Sequence, residues 1–441
     1  MRSDLRSWLY SFAVHGIKLD LENTKDLLRR IGDPQKEMKY IHVGGTDGKG
    51  SISSCIASIL ISSGVRTGLY TSPHIMDINE RMTVNGENIT DDEAEDTLAQ
   101  IKESVEEMEA EGKTPTFFEV VTAMAFLYFR NKGVEYAVME VGMGGRLDST
   151  NVIVPEVSVI GNISLEHQEY LGSTIEEIAF EKAGIIKPGV PCVTMNGDPV
   201  FSVLKKAAAE RGAPIIRIDP EDINIEKMSA DRVEFLYKEE RYTVSIPGSR
   251  QADNASMAVE AVSKLRIYGQ CIRCNIKKGL KDVRWPCRME KVGALPIILD
   301  VTHTAAGSKA LADDVSALYG KVDIVIGILR DKDAATVADN LSRISGRVYV
   351  SRLDTERSAD PYVLKEIFGA RIPETTACKS ISEAMDLATS SKNNDRNILV
   401  TGSFHTAEEA IAWIRRTYPG YWTYSQRSTT EEHIPEGRRK A

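Results

Sequence analysis

The stretch Gly44-Gly45-Thr46-Asp47-Gly48-Lys49-Gly50-Ser51 constrains the fold more than any other part of this chain. It follows the β-branched run "KYIHV" at 39–43. It precedes "GSISSCIASILISSG", whose Ile52, Cys55, Ile56, Ile59 and Leu60 fall on one side of a helix. A glycine-rich turn between a strand and a helix start aims free backbone N–H groups and the positive helix end at one spot, which favours an anion. The spacing is not that of the G-x-x-x-x-G-K-[ST] loop. Val43 stands where its first glycine would be, and Gly50 separates Lys49 from Ser51. Two readings of these residues remain, a phosphate loop of another form or a turn with a solvated lysine. Close backbone approach at the glycines and a lysine able to neutralise phosphate charge favour the first.

Short apolar strands and longer amphipathic stretches keep alternating, as in βαβ units. "TGLY" at 67–70, "YAVMEV" at 136–141 and "SVIGNI" at 158–163 read as buried strands. From 215 to about 246 the shorter runs "RVEFLY" and "RYTVSI" suggest antiparallel strands appended to the sheet, and a helix over 251–265 follows. "RWPCRMEKVGALP" at 284–296 has two prolines and no period, so it reads as a crossover. "IILDV", "VDIVIGI", "RVYVS" and "NILVT" then build a second α/β unit. The expected domains are 1–288 and 296–425, with the polar tail 426–441 disordered.

A chain of 441 residues is too long for one ordinary core, which agrees with two domains. The net charge of -9 argues against a nucleic-acid partner, which calls for a basic face. No apolar run approaches the roughly 18 to 20 residues that span a bilayer, so no membrane partner is expected. "MRSDLRSWLYSFAVHG" has no apolar core typical of a secretory signal, and a cytoplasmic location is expected. The six cysteines are too sparse for a disulfide framework. Cys271 and Cys274 have the spacing of a metal hairpin, but no second Cys or His pair follows at a zinc-site interval.

"GGTDGKGS", "YTSPHIMDINERMTVNG", "FFEVVTAMAFLYF", "MEVGMGGRLDSTN", "NISLEHQEYLGSTIEEIAFEKAGIIKPG", "RQADNASMAV", "ILRDKD" and "VTGSF" occur in this order over about the first 410 residues. Together they resemble the signature blocks of the folylpolyglutamate synthase and dihydrofolate synthase family, relatives of the Mur peptidoglycan ligases. The resemblance implies an α/β fold with a P-loop, Mur-ligase-like N-terminal domain on a mostly parallel sheet and a smaller α/β C-terminal domain. It implies an ATP- and Mg²⁺-dependent ligase that joins L-glutamate to dihydropteroate or a folate through an acyl phosphate. The expected partners are ATP, L-glutamate and a pterin or folate carboxylate, with the chain a monomer. The same chemistry on another pterin or on a non-folate carboxylate, and a P-loop nucleotide-binding module without turnover, are the alternatives.

By the same resemblance the nucleotide is held by Gly45, Thr46, Asp47, Gly48, Lys49, Gly50 and Ser51, with Asn254, Arg288, Asp300 and His303 reaching it from elsewhere. Gln251 accompanies Asn254, although a polar helix start would look the same. Ser51, Ser72, Glu140, His167 and Lys182 match the magnesium side, and Lys49, Lys182 and His167 the catalytic set. From the residues alone His167 reads as a loop or capping residue, and Lys182 in "FEKAGI" as a helix-surface lysine. The family lysine at that place carries CO₂ as a carbamate, an anionic metal ligand. Arg146 and Asp148 are either an ion pair or active-site groups. The chain departs from the family pattern at Asp47, usually asparagine, and at Cys287, usually the glycine of G-R. Further departures are Val301, Thr302, Thr304 and Ala305 within the usual D-G-A-H-N-P. A carboxylate at Asp47 repels phosphate unless a cation offsets it.

Overall fold

In the run Lys39–Gly44 only the first residue is exposed, as expected of a strand covered on both faces. A computed structural model describes residues 3–390 and 396–421, and makes this strand the centre of an eight-stranded sheet. In chain order its strands are β1 Lys39–Gly44, β2 Thr67–Tyr70, β3 Met82–Val84, β4 Glu87–Asn88, β5 Tyr136–Glu140, β6 Val157–Ile160, β7 Cys192–Thr194 and β8 Ile215–Arg217. The spatial order is β4-β3-β2-β5-β1-β6-β7-β8. All neighbours are parallel except β3, which pairs antiparallel with β2 and β4. Alternate residues of β1 feed two cores. Ile41 and Val43 join the Lys49–Ser62 helix on one face, while Tyr40 meets Phe126 of the Phe117–Asn131 helix on the other.

The Lys49–Ser62 helix is buried nearly all round, with Ser51, Ser53 and Ser54 as covered as Ile52 and Ile56. A single apolar side would have sufficed for a surface helix. This one is clasped between the sheet and the helices Arg250–Val262 and Gln270–Asp282. Gly279 makes that approach possible, since a Cβ there would lie 2.5 Å from Ile59 Cα.

Two expectations from sequence need correction. Strand β6 ends at Ile160, and Asn162 beyond it leaves the ladder to bridge the backbone of Asp47. The 215–246 segment does not simply extend the sheet. Strand β8 joins it in parallel, while β9 Ile223–Met228, β10 Val233–Tyr237 and β11 Glu240–Val244 form a separate antiparallel sheet. In β10, Val233, Phe235 and Tyr237 point into the core against the Arg250–Val262 helix, so this sheet covers that helix.

The second unit has its own six-stranded sheet of β12 Glu290–Lys291, β13 Ile297–Leu299, β14 Val322–Ile326, β15 Ser345–Ser351, β16 Thr375–Cys378 and β17 Ile398–Thr401. The order is β12-β13-β17-β14-β15-β16, parallel except for β12. The 284–296 crossover therefore contributes the edge strand β12 as well as a link. The tail expected to be disordered lies outside the described residues. Among the described residues no helix is long and apolar enough to cross a membrane.

Candidate active site

The glycine loop leaves the end of β1 and enters the Lys49–Ser62 helix, and two of its glycines have physical causes. Gly48 sits at φ +83°, a left-handed conformation that costs other residues about 1–2 kcal/mol, and a Cβ there would lie 2.6 Å from Asn254 Oδ1. Gly50 lets the Trp285 ring pack on the loop, where a Cβ would come within 2.6 Å of it. The odd spacing is thus built around a crossover tryptophan. Thr46 N donates to Asn162 O (2.6 Å), and the Thr46 hydroxyl accepts from Ser164 N (3.2 Å), which fixes the loop to the chain after β6. Lys49 Nζ donates to Thr46 O at 3.0 Å. Ser51 Oγ is buried without a hydrogen-bond partner.

Glu140 is the last residue of β5, opposite Val43 of β1, so the sheet register delivers its carboxylate beside the loop. Burial raises its pKa to about 7, although Lys49, Arg288 and Arg81 pull the other way. Its carboxylate accepts from Ser72 N at 3.1 Å. Among the described residues no three His, Cys, Asp or Glu side chains converge as a complete metal site. A buried carboxylate and an unpartnered serine hydroxyl lining the same cleft instead suit Mg²⁺, which takes one or two protein oxygens and fills its shell with phosphate and water.

His167 has left-handed φ (50°) and starts the short helix Gln168–Leu171 without a side-chain cap bond. Its Nε2 lies 3.2 Å from Glu166 Oε1, and His303 Nε2 lies 3.8 Å from the same oxygen. Burial opposes ionisation of Glu166, but these two imidazoles and Lys49 hold it well below the usual carboxylate range. Glu166 escaped the sequence reading. Its only signal there is its place directly before His167 in "LEH".

Lys182 is not on a helix surface. In the helix Ile175–Ala183 its side chain turns inward, is 2% exposed and donates from Nζ to Gly45 O at 2.7 Å. Burial lowers its pKa to about 7, and neighbouring Lys49 pushes the same way. Arg146 and Asp148 do not pair with each other. Arg146 meets Glu181 at 2.9 Å, while Asp148 is buried and accepts from Met143 N (2.9 Å) and Thr150 N (3.0 Å).

The second unit closes the opposite side. The Arg288 guanidinium stands 5.9 Å from the Phe404 ring centre. Its neighbours Cys287 and Met289 have φ of +53° and +48°, left-handed conformations that favour glycine. Asp300 is buried and accepts from Thr302 N (2.8 Å) and Met289 N (3.1 Å), so it braces the turn that carries His303. Asn254 and Gln251 are buried neighbours on one helix, joined by a 3.1 Å hydrogen bond.

A cleft of about 970 Å³ runs between the two units. Thr46 to Ser51, Ser72, Glu140, His167, Asn254, Gln251, Arg288, Asp300 and His303 all line it. Gly45 and Lys182 lie just behind the loop and are not part of its wall. Its wall also carries the apolar side chains Ile17, Leu19, Phe118, Met143 and Leu147.

Comparison with known proteins agrees with this division. Residues 43–262 match the Mur ligase middle domain, and residues 287–404 match the Mur ligase glutamate ligase domain. The dihydrofolate synthase/folylpolyglutamate synthase of Bacillus subtilis (strain 168) is 34% identical over 421 residues, covering 91% of this chain and 96% of that protein. The folylpolyglutamate synthase of Mycobacterium tuberculosis complexed with ADP superposes with a TM-score of 0.84 at 29% identity, over 93% of this chain and 98% of that one. E. coli FolC in complex with DHPP and ADP gives a TM-score of 0.81 at 27% identity, over 94% of this chain and 98% of that one.

Proposed function

The chain belongs to the folylpolyglutamate synthase and dihydrofolate synthase family of Mur-type ligases, and from that premise we propose how its cleft joins L-glutamate to dihydropteroate, to a folate, or to both. The enzyme is an ATP-dependent, ADP-forming ligase that uses Mg²⁺. The observation that carries the assignment of residues is the meeting, in one cleft, of the glycine loop, the buried Glu140 carboxylate and Arg288 with His303.

In this reading the loop amides and Lys49 hold the ATP phosphates, and Asn254 with Gln251 stands on the nucleoside side. Ser51, Ser72, Glu140 and His167 would hold the Mg²⁺, which would supply positive charge to offset that of the phosphates. The acceptor carboxylate oxygen attacks the γ-phosphorus and ADP leaves. The glutamate amine then attacks the acyl carbon, phosphate leaves with the bonding pair, and the amine proton passes to solvent or a nearby base. Lys49 and Arg288 stabilise the charge that moves between β- and γ-phosphate. The apolar wall residues Phe118, Ile17 and Leu19 suit a flat heteroaromatic ring. Lys182 adds CO₂ at its neutral amine and releases a proton, giving a carbamate beside the loop. Its burial and lowered pKa supply the neutral amine that this addition requires. We further propose domain limits of 1–288 and 296–425, a monomer, and a cytoplasmic location.

Two measurements test this. ADP release should require L-glutamate and a pterin acid together, in a screen of dihydropteroate, folate and unrelated carboxylic acids. Release that needs neither would leave only a nucleotide-binding module. Second, Glu140→Gln should raise the Mg²⁺ concentration for half-maximal rate at least about tenfold, because it removes the buried anionic oxygen. Glutamate KM should stay near that of the parent. A Mg²⁺ titration that overlays the parent while activity falls would reject the metal role.

A further inference from the structure

Two carboxylates of the first unit grip adjacent residues of the second. Glu166 faces His303, whose Nδ1 is held by Val301 O at 3.0 Å, so the ring cannot swing freely. Asp47 faces Thr304, with Thr304 Oγ1 at 3.3 Å from Oδ2 and 3.5 Å from Oδ1. Thr304 is also the N-cap of the 15-residue helix Ala305–Tyr319, and its hydroxyl accepts from Gly307 N at 3.0 Å. A hydroxyl has one proton and two lone pairs, and a carboxylate can only accept. Both contacts are therefore satisfied together only with the Thr304 proton directed at Asp47.

This geometry answers the charge problem raised by Asp47. Its carboxylate meets the positive end of the Ala305–Tyr319 helix, and it lies close enough to Lys182 to favour the charged amine there. Its backbone is fixed by the bridge to Asn162. Asp47 and Thr304 stand 257 residues apart in sequence, so only the packing of the two units brings them together.

We infer that Asp47 and Thr304 form an interunit latch that holds the second unit closed over the glycine loop, so that Asp47 is a positioning residue rather than a phosphate ligand. The inference rests on the reading of this cleft as the ATP site. If the closed form is the one that binds, apparent nucleotide affinity follows the fraction of molecules that are closed.

The test uses the full chain with Cys271→Ser and Cys274→Ser, spin-labelled at Lys227→Cys and Lys365→Cys, one exposed position on each unit. In nucleotide-free protein, Asp47→Ala and Thr304→Val should each broaden the distance distribution toward longer separations. ATP KM should rise about fivefold, the size of one hydrogen bond, with kcat changed less. Thr304→Ser keeps both the cap and the proton, and should match the parent. The double variant should be no worse than the worse single, because either single change already removes the whole Asp47–Thr304 contact. Parental distances in both single variants, or additive effects in the double, would overturn the latch. Asp47→Ala leaves the cap intact, so the test stands even if Thr304→Val is unstable. Distances read without nucleotide also separate failure of the latch from failure of the ATP assignment.

Discussion

Lys49→Ala is expected to lower kcat on the order of a hundredfold to a thousandfold, the usual loss when one preorganised donor to a transferring group is removed. The fold should survive, because among the described residues the Lys49 ammonium donates to Thr46 O within its own loop and otherwise faces the cleft. The change reaches further than one contact. Lys49 lowers the pKa of both Glu140 and Lys182, so its loss leaves the buried Glu140 carboxylate harder to ionise and the Lys182 amine easier to protonate. Both shifts oppose the forms that the mechanism uses. Steady-state rates with dihydropteroate or folate, beside a thermal melt, check this. Near-parental turnover in a folded Lys49→Ala protein would sink the assignment of the loop.

Lys182→Ala should be comparably damaging, and Lys182→Arg should not restore activity. A guanidinium cannot add CO₂, so it keeps the cation and the contact with Gly45 O but not the carbamate. If a carbamate is the active form, acetate or formate should refill part of the alanine variant's site and recover some rate. The parent incubated with ¹³C-labelled bicarbonate should show a carbamate resonance that Lys182→Ala lacks. Parental activity in Lys182→Arg would show that a buried cation suffices, and the carbamate would be abandoned.

The two predictions differ in how far sequence could support them. Lys49 announces itself because a strand, a glycine turn and a helix are contiguous, and local geometry aims them at one point. Lys182 could not. "FEKAGI" has no periodicity that separates an inward lysine from an outward one, and its partner is the carbonyl of Gly45, 137 residues away. Glu166 was invisible for the same reason, since only folding brings His303 to it. The runs "RVEFLY" and "RYTVSI" within 215–246 read as antiparallel from sequence, but alternation cannot say whether such strands extend an existing sheet or form a separate one over a core.

The sequence by itself determined the strand and helix alternation and the place of the glycine loop between β1 and the Lys49–Ser62 helix. Each depends on residues close in the chain, where spacing dictates backbone form. Tertiary structure alone decided which ionisable groups are buried, which partners they meet and what the unusual residues do. It turned Lys182 inward, left Glu140 as a buried carboxylate, paired Arg146 with Glu181, gave Cys287 a glycine-like conformation and set Asp47 against Thr304. Burial and electrostatics sum over neighbours in space, and those neighbours are fixed only when distant segments pack.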